Sequence, residues 1–178
     1  GLPEPNRVKE LWSFNPSVGG PIVRDKLWFF GGYTRQKADS FVAFYEDVDP
    51  NASVYVPNFD EQAFDDQRVH DVAARLTWQA SPRNKVQFFI NDNSNVHGHL
   101  LIGTALSVNV MPSASVRQHV DSRTMQGTWT SSLSNRLLFE AAVGFLPGHQ
   151  RYLPQPNVDS TLPGIIEAFG DLTASRGM

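Results

Sequence analysis

The chain has 178 residues, 40% of them apolar and 19% charged, enough for one domain-sized core if it folds alone. A formal charge of −3 and a pI near 5.9 argue against a basic phosphate-binding surface, so no nucleic-acid partner is expected. The absence of cysteine removes disulfides, thiolate metal sites and cysteine nucleophiles, and agrees with an exported protein that folds without disulfide staples.

Residues 1–10 read as a lead-in segment, without the basic-then-apolar order of a signal peptide. A first strand is expected over 11–22 and a second over 27–45, with Arg24, Asp25 and Lys26 as the polar reversal between them. The second opens on Leu27-Trp28-Phe29-Phe30, aromatic residues that favour a pleated, half-buried surface. Residues 46–66 then carry seven acidic side chains, from Glu46 to Asp66, and no Lys or Arg. Their spacing does not match a calcium-binding loop, and like charges stay hydrated, so an acidic external loop is expected.

A third strand is expected over 67–79, where Ala74, Leu76 and Trp78 alternate with Arg75 and Thr77. The turn Ser81-Pro82-Arg83-Asn84 leads into a fourth, 85–94, where Val86, Phe88 and Ile90 alternate with Gln87, Phe89 and Asn91. Residues 95–115 read as a second long loop, containing His97-Gly98-His99. Zinc would need a third and usually a fourth ligand brought in from elsewhere, with His70-Asp71 and His119-Val120-Asp121 as donors. Solvated imidazoles are the expectation for His97 and His99, with no metal and no cofactor.

The fifth strand, 116–131, lacks a clean apolar face, because His119, Asp121 and Arg123 alternate with Val120, Ser122 and Thr124; its outer half is expected above a bilayer. The turn 132–136 precedes a sixth strand, 137–145, with Leu137, Phe139, Ala141, Val143 and Phe145 on one face and Glu140, Ala142 and Gly144 on the other. Residues 146–178 read as a third long loop, since Pro147, Pro154, Pro156 and Pro163 make that stretch a poor strand donor.

Short turns at 23–26, 81–84 and 132–136 thus alternate with three long connections, as in bacterial outer-membrane barrels, whose periplasmic turns are short and extracellular loops long. No window reaches the ~18–20 apolar residues of a transmembrane helix, but a barrel needs none, because its strands alternate lipid-facing apolar and lumen-facing polar residues. Trp78 and Trp129 precede short turns and Trp28 follows one, positions suited to an aromatic girdle at the headgroup boundary. Charge, as at Arg75 and Glu140, is expected on the lumen face. No Gly-x-Ser-x-Gly elbow, defensible Ser-His-carboxylate set or phosphate-binding glycine pattern is present, so catalytic residues are expected to be none and the chain is not read as an enzyme.

The segment Gly19-Gly20-Pro21-Ile22-Val23-Arg24-Asp25-Lys26-Leu27-Trp28-Phe29-Phe30-Gly31 resembles the one that opens the barrel in TonB-dependent outer-membrane receptors of the Oar-like kind. Arg75-Leu76-Thr77-Trp78-Gln79-Ala80-Ser81-Pro82-Arg83-Asn84-Lys85-Val86 and 127–140 are similar to that family's repeated strand, turn and strand unit, and the likeness runs from Trp12 to Phe145. The resemblance implies an all-β fold, an antiparallel up-and-down transmembrane β-barrel segment of about six strands. It implies residence in the outer membrane of a Gram-negative bacterium, with membrane lipid, the rest of the same barrel, a plug domain and, through that plug, TonB as partners. Residues 1–178 are then a partial barrel domain, a fragment without plug or TonB box, of a barrel with about 22 strands. No functional residue is carried over, and the ligand and its binding residues stay unknown. The rival reading is a soluble extracellular β-sandwich that binds carbohydrate or another ligand, with its apolar faces meeting inside. A small closed barrel of eight strands would need two further strands from 147–178.

Overall fold

The computed structural model describes residues 5–100, 102 and 111–162. They form eight antiparallel strands: β1 Arg7–Phe14, β2 Ser17–Val23, β3 Leu27–Asp47, β4 Pro57–Ser81, β5 Asn84–Leu100, β6 Val116–Ser134, β7 Leu137–Phe145 and β8 Gly148–Leu153. All belong to one sheet in which β1 and β2 both pair with β3, while β7 and β8 both pair with β6. The eight segments therefore occupy six columns, the number expected from the sequence. Among the described residues the first and last columns do not pair, so the sheet is open, and there is no second sheet of the kind a sandwich requires.

The single strand expected over 11–22 is broken at Asn15-Pro16, and strand structure begins earlier, at Arg7 inside the lead-in segment. Pro16 has no N–H for the ladder, but its carbonyl accepts from the Tyr33 amide at 3.0 Å, which keeps the column in register. The last column breaks the same way: residues 148–153, expected as loop, form β8, and the Pro147 carbonyl accepts from the Arg123 amide at 2.9 Å. Each proline thus interrupts an outer column without ending it.

Two long loops are also shorter than expected. Only 48–56 join β3 to β4, because β4 starts at Pro57 and residues 57–66, with Asp60, Asp65 and Asp66, are strand. β5 continues through His97-Gly98-His99 to Leu100. The remainder of the 95–115 loop includes a short 3-10 turn, Pro112–Ala114, and positions 101 and 103–110 lie outside the described residues, as do 163–178. Acidic and amide residues depress strand propensity locally, yet here they are carried by cross-strand pairing, which a window of sequence does not contain.

The three short turns form as expected. Asp25 takes a left-handed φ of 59°, a conformation Asp tolerates, while Ser81 Oγ accepts from the Asn84 amide at 3.2 Å and Ser134 Oγ from the Arg136 amide at 3.3 Å.

Register defines two faces. On one, apolar residues fall into cross-strand rows: Leu27, Trp78, Val86, Trp129 and Ala141; then Phe29, Leu76, Phe88, Gly127 and Val143; then Gly31, Ala74, Ile90, Met125 and Phe145. This band is open to the surroundings, with Phe88 55% and Val143 60% exposed. Trp129 stacks edge-on against Phe139 at 5.3 Å. Trp28 pairs with Thr77 and so lies on the opposite face from Trp78 and Trp129; the expected three-tryptophan girdle is a pair, with Leu27 in the third place.

From Leu137 to Phe145 the band follows the strand for roughly 26 Å. β3 and β4, with 21 and 25 residues, run far beyond it at the end carrying the long connections.

Candidate functional site

The second face is built largely from amides and hydroxyls. Above the level of the band, Gln36, Asn95 and Gln150 fall in one row and Thr34, Asp71, Asn93 and Ser122 in the next. Asp71 Oδ2 accepts from Asn91 Nδ2 at 2.7 Å and from Asn93 Nδ2 at 3.3 Å, and Gln67 Nε2 donates to Asn95 Oδ1 at 3.3 Å. Asn91 and Asn93 each spend one N–H on Asp71 and keep their carbonyl and second N–H. The surface can therefore exchange hydrogen bonds with hydroxyl or amide groups of a passing solute. Beside the band this face is less polar, since Trp28, Phe30 and Phe89 occupy it, with the Arg75 guanidinium 5.4 Å above the Phe89 ring.

Charge distributes differently from expectation. Arg75 and Glu140 do share the amide face, but above the band most charged residues lie on the band face, as a continuation of the same strand alternation. Asp39 and Asp66 sit directly opposite one another, as do Lys37 and Arg68, so like charges pair across the strands. Diagonal and same-strand contacts offset this: Arg68 reaches Asp39 at 2.6 Å and Asp66 at 3.5 Å, Lys37 reaches Asp39 at 3.2 Å, and Glu10 also holds Lys37. Asp39, only 2% exposed, is thereby fully partnered. Farther along, Arg123 Nε donates to Asp92 at 2.9 Å, and Asp121 accepts from Ser94 at 2.7 Å and Arg151 at 3.2 Å.

His97 and His99, expected as solvated loop imidazoles, instead clasp β5 to β4. His97 Nε2 bonds Asp65, and His99 Nδ1 bonds Asp66 Oδ1 at 2.6 Å. The Asp65 hydrogen bond raises the His97 pKa against an opposing effect of burial. Burial pushes Asp66 upward, but the His99 hydrogen bond and the neighbouring positive charges outweigh it and leave its pKa lowered. His70, also considered a donor, stacks against Tyr33 at 5.2 Å. Among the described residues, no three His, Cys, Asp or Glu come together as a metal-binding group.

The end opposite the short turns is a folded cap rather than a set of hydrated loops. Val42, Ala63 and Ile102 bury one another there, and Met111 and Ala114 pack with Tyr55. Gln155, 4% exposed, donates to the Gly98 carbonyl and to Ser115 Oγ, each at 2.8 Å. Asn51 Oδ1 accepts from the Asp159 amide at 2.8 Å, tying the β3–β4 connection to the segment after β8. The acids once expected to be hydrated take part: Asp47 accepts from Ser113, and burial raises the pKa of Glu46. The alternation Asn91, Asn93, Asn95 was a legible signal for the amide face; the cap was not, because its contacts join segments up to 108 residues apart.

A single open antiparallel sheet with an exposed apolar band on one face and amides on the other is consistent with a fragment of a β-barrel. Sequence comparison points the same way: the chain is 25% identical over 204 aligned residues to the TonB-dependent transporter Oar of Myxococcus xanthus, an alignment covering 97% of this chain. The chain spans 18% of that relative's length, which supports a distant relationship to TonB-dependent receptors. No family profile matches the chain, and no solved structure matches it.

Proposed function

We propose that this chain is part of the barrel wall of an outer-membrane TonB-dependent receptor or transporter, with the band face against lipid and the amide face toward the lumen. The observation that carries this reading is the exposed apolar band running in register across the columns, which water would disfavour and lipid would not. The short turns are then periplasmic and the folded cap extracellular, where it and the amide face contribute to ligand selection. The role is transport rather than catalysis. The open edges require further strands, because unpaired edge amides in lipid cost several kcal/mol each. A plug and coupling to TonB belong to the rest of such a receptor.

The test is expression of the whole reading frame followed by membrane fractionation and electrophoresis with and without boiling. Recovery in the outer membrane as a heat-modifiable species is the expected result; a soluble monomer would overturn the reading.

A further inference from the structure

Two imidazoles at the end of β5 grip β4 from opposite faces of the sheet. His97 lies on the amide face, opposite Gln67 on β4 and Gln118 on β6, and bonds Asp65. The β5–β6 register shifts between His97 and Leu100, and His99 reaches the band face, where it bonds Asp66 and lies 5.4 Å from the Phe64 ring. The same run of chain fastens the cap. Gly98 offers its carbonyl to buried Gln155, His99 offers its carbonyl to the Ile102 amide at 3.3 Å, and Ile102 is buried against Val42 and Ala63. Val42 and Ala63 adjoin Phe41 and Phe64, which register on the band face, so alternation puts both on the amide face; buried Val116 falls there with Gln118. The cap is therefore seated on the upper end of the amide face.

The charges acting on His97 are the carboxylates of Asp65 and Asp66, and the Asp65 hydrogen bond raises its pKa against the effect of burial. Around His99, β4 contributes Asp66 and Arg68, which lie 3.5 Å apart, and β3 contributes Asp39, opposite Asp66, and Glu46, which burial pushes up and the His99 charge pulls back. Lys9 of β1 stands 3.2 Å from the centre of the Phe64 ring. Lower in the sheet, Arg123 with Asp92 and Arg151 with Asp121 use guanidinium groups, which hold their charge at any physiological pH. Imidazole takes that place at the cap, and imidazole is the side chain whose charge changes between about pH 5 and 8.

We propose that these two pairs form a proton-operated latch: imidazolium on carboxylate holds the cap against the amide face in mild acid, and proton loss above neutral pH frees the cap and opens that face to solutes. A charge-assisted hydrogen bond is roughly twice as strong as a neutral one, so a deprotonated imidazole keeps only the weaker bond. The raised pKa of His97 fixes the sign: its pair contributes fully below ~6.5 and is lost as pH rises through the folded value. The two grips act on β4 at successive residues, Asp65 and Asp66, so loosening one frees backbone that the other depends on, and Gly98 between the imidazoles passes the movement to Gln155. The inference rests on the proposed function, since opening matters only where the amide face lines a lumen.

The experiment uses the full-length receptor in outer-membrane vesicles and follows amide hydrogen exchange by mass spectrometry from about pH 5.5 to about pH 8.5, either side of the ordinary imidazole value, with rates corrected for the intrinsic effect of pH. Peptides covering 111–116 and 153–159 report the cap, and those covering the short turns serve as reference. The expected result is a fall in cap protection of about fivefold as pH rises, the difference between a charge-assisted and a neutral hydrogen bond, with a flat profile at the turns. The double variant His97→Gln/His99→Gln should show the high-pH level throughout. Asp65→Asn, which keeps both imidazoles and removes the charge facing His97, should flatten the profile as well and gives a second test if the double variant does not fold. A wild-type cap indifferent to pH overturns the latch, as does a variant that retains the wild-type profile, or loosening confined to the β4–β5 pairing while the cap stays protected. Heat-modifiability is scored on the same samples: its absence in the wild type overturns the proposed function, whereas a pH-indifferent cap on a heat-modifiable barrel overturns the latch alone.

Discussion

Asp66 fits over Gly98 because that residue has no side chain: a Cβ there would lie 2.0 Å from the Asp66 carboxylate. Gly98→Ala must therefore push Asp66 off His99, and the expected outcome in the full-length protein is faster amide exchange along the upper β4–β5 pairing with unchanged exchange at the short turns. The neighbouring His97 gives a pH prediction with a definite sign. Its folded pKa is raised, so its stabilisation is complete below the unfolded value of ~6.5 and is lost as pH rises through the folded value. Asp66 works in the opposite sense: its folded pKa is lowered, so its contribution is present above ~3.9 and lost as acid drives pH through the folded value. The clasp should be firmest between those limits, and an NMR titration placing the His97 ring midpoint at or below ~6.5 would refute the pairing with Asp65.

At the scale of a strand, β7 is the sharpest test of which face meets lipid. Phe139 and Val143 register on the band face, while Glu140 lies on the other. In the full-length protein Val143→Arg should cost about 2–4 kcal/mol and Val143→Asp or Phe139→Asp less, all lowering outer-membrane levels, whereas Glu140→Gln should be tolerated. Normal levels of both Asp variants would sink the assignment. Across β3 and β4, the basic row Lys37 and Arg68 beside the acidic row Asp39 and Asp66 predicts that Asp39→Ala leaves two cations facing each other without their shared acid. A loss of about 1.5–3 kcal/mol is expected, read from denaturant unfolding of the reconstituted protein, with Lys37→Ala/Asp39→Ala less damaging than the sum of its parts.

For the whole molecule, the asymmetry between ends sets an orientation that labelling can read. This chain has no cysteine, so single cysteines report cleanly. Ala52→Cys, in the exposed β3–β4 connection, should react with an impermeant maleimide on intact cells, and Arg83→Cys, in an exposed short turn, only after the outer membrane is permeabilised. The reverse pattern would invert the topology. The isolated 178-residue chain should show no heat-modifiable species, because among the described residues its first and last columns each pair on one side only.

Strand positions, the short turns and the apolar band were legible in the sequence, since period-two alternation and turn chemistry are local properties: Val86, Phe88 and Ile90 declare one face whatever their neighbours do. Strand ends were not, because Asp60, Asp65 and His97 look like loop residues until a partner strand supplies their hydrogen bonds. Nor could sequence reveal that Trp28 turns away from Trp78, that the basic residues gather on the band face, or that Gln155 locks the cap. Those facts depend on register between distant segments, where a slip of one residue exchanges the two faces, and only the tertiary structure decides it.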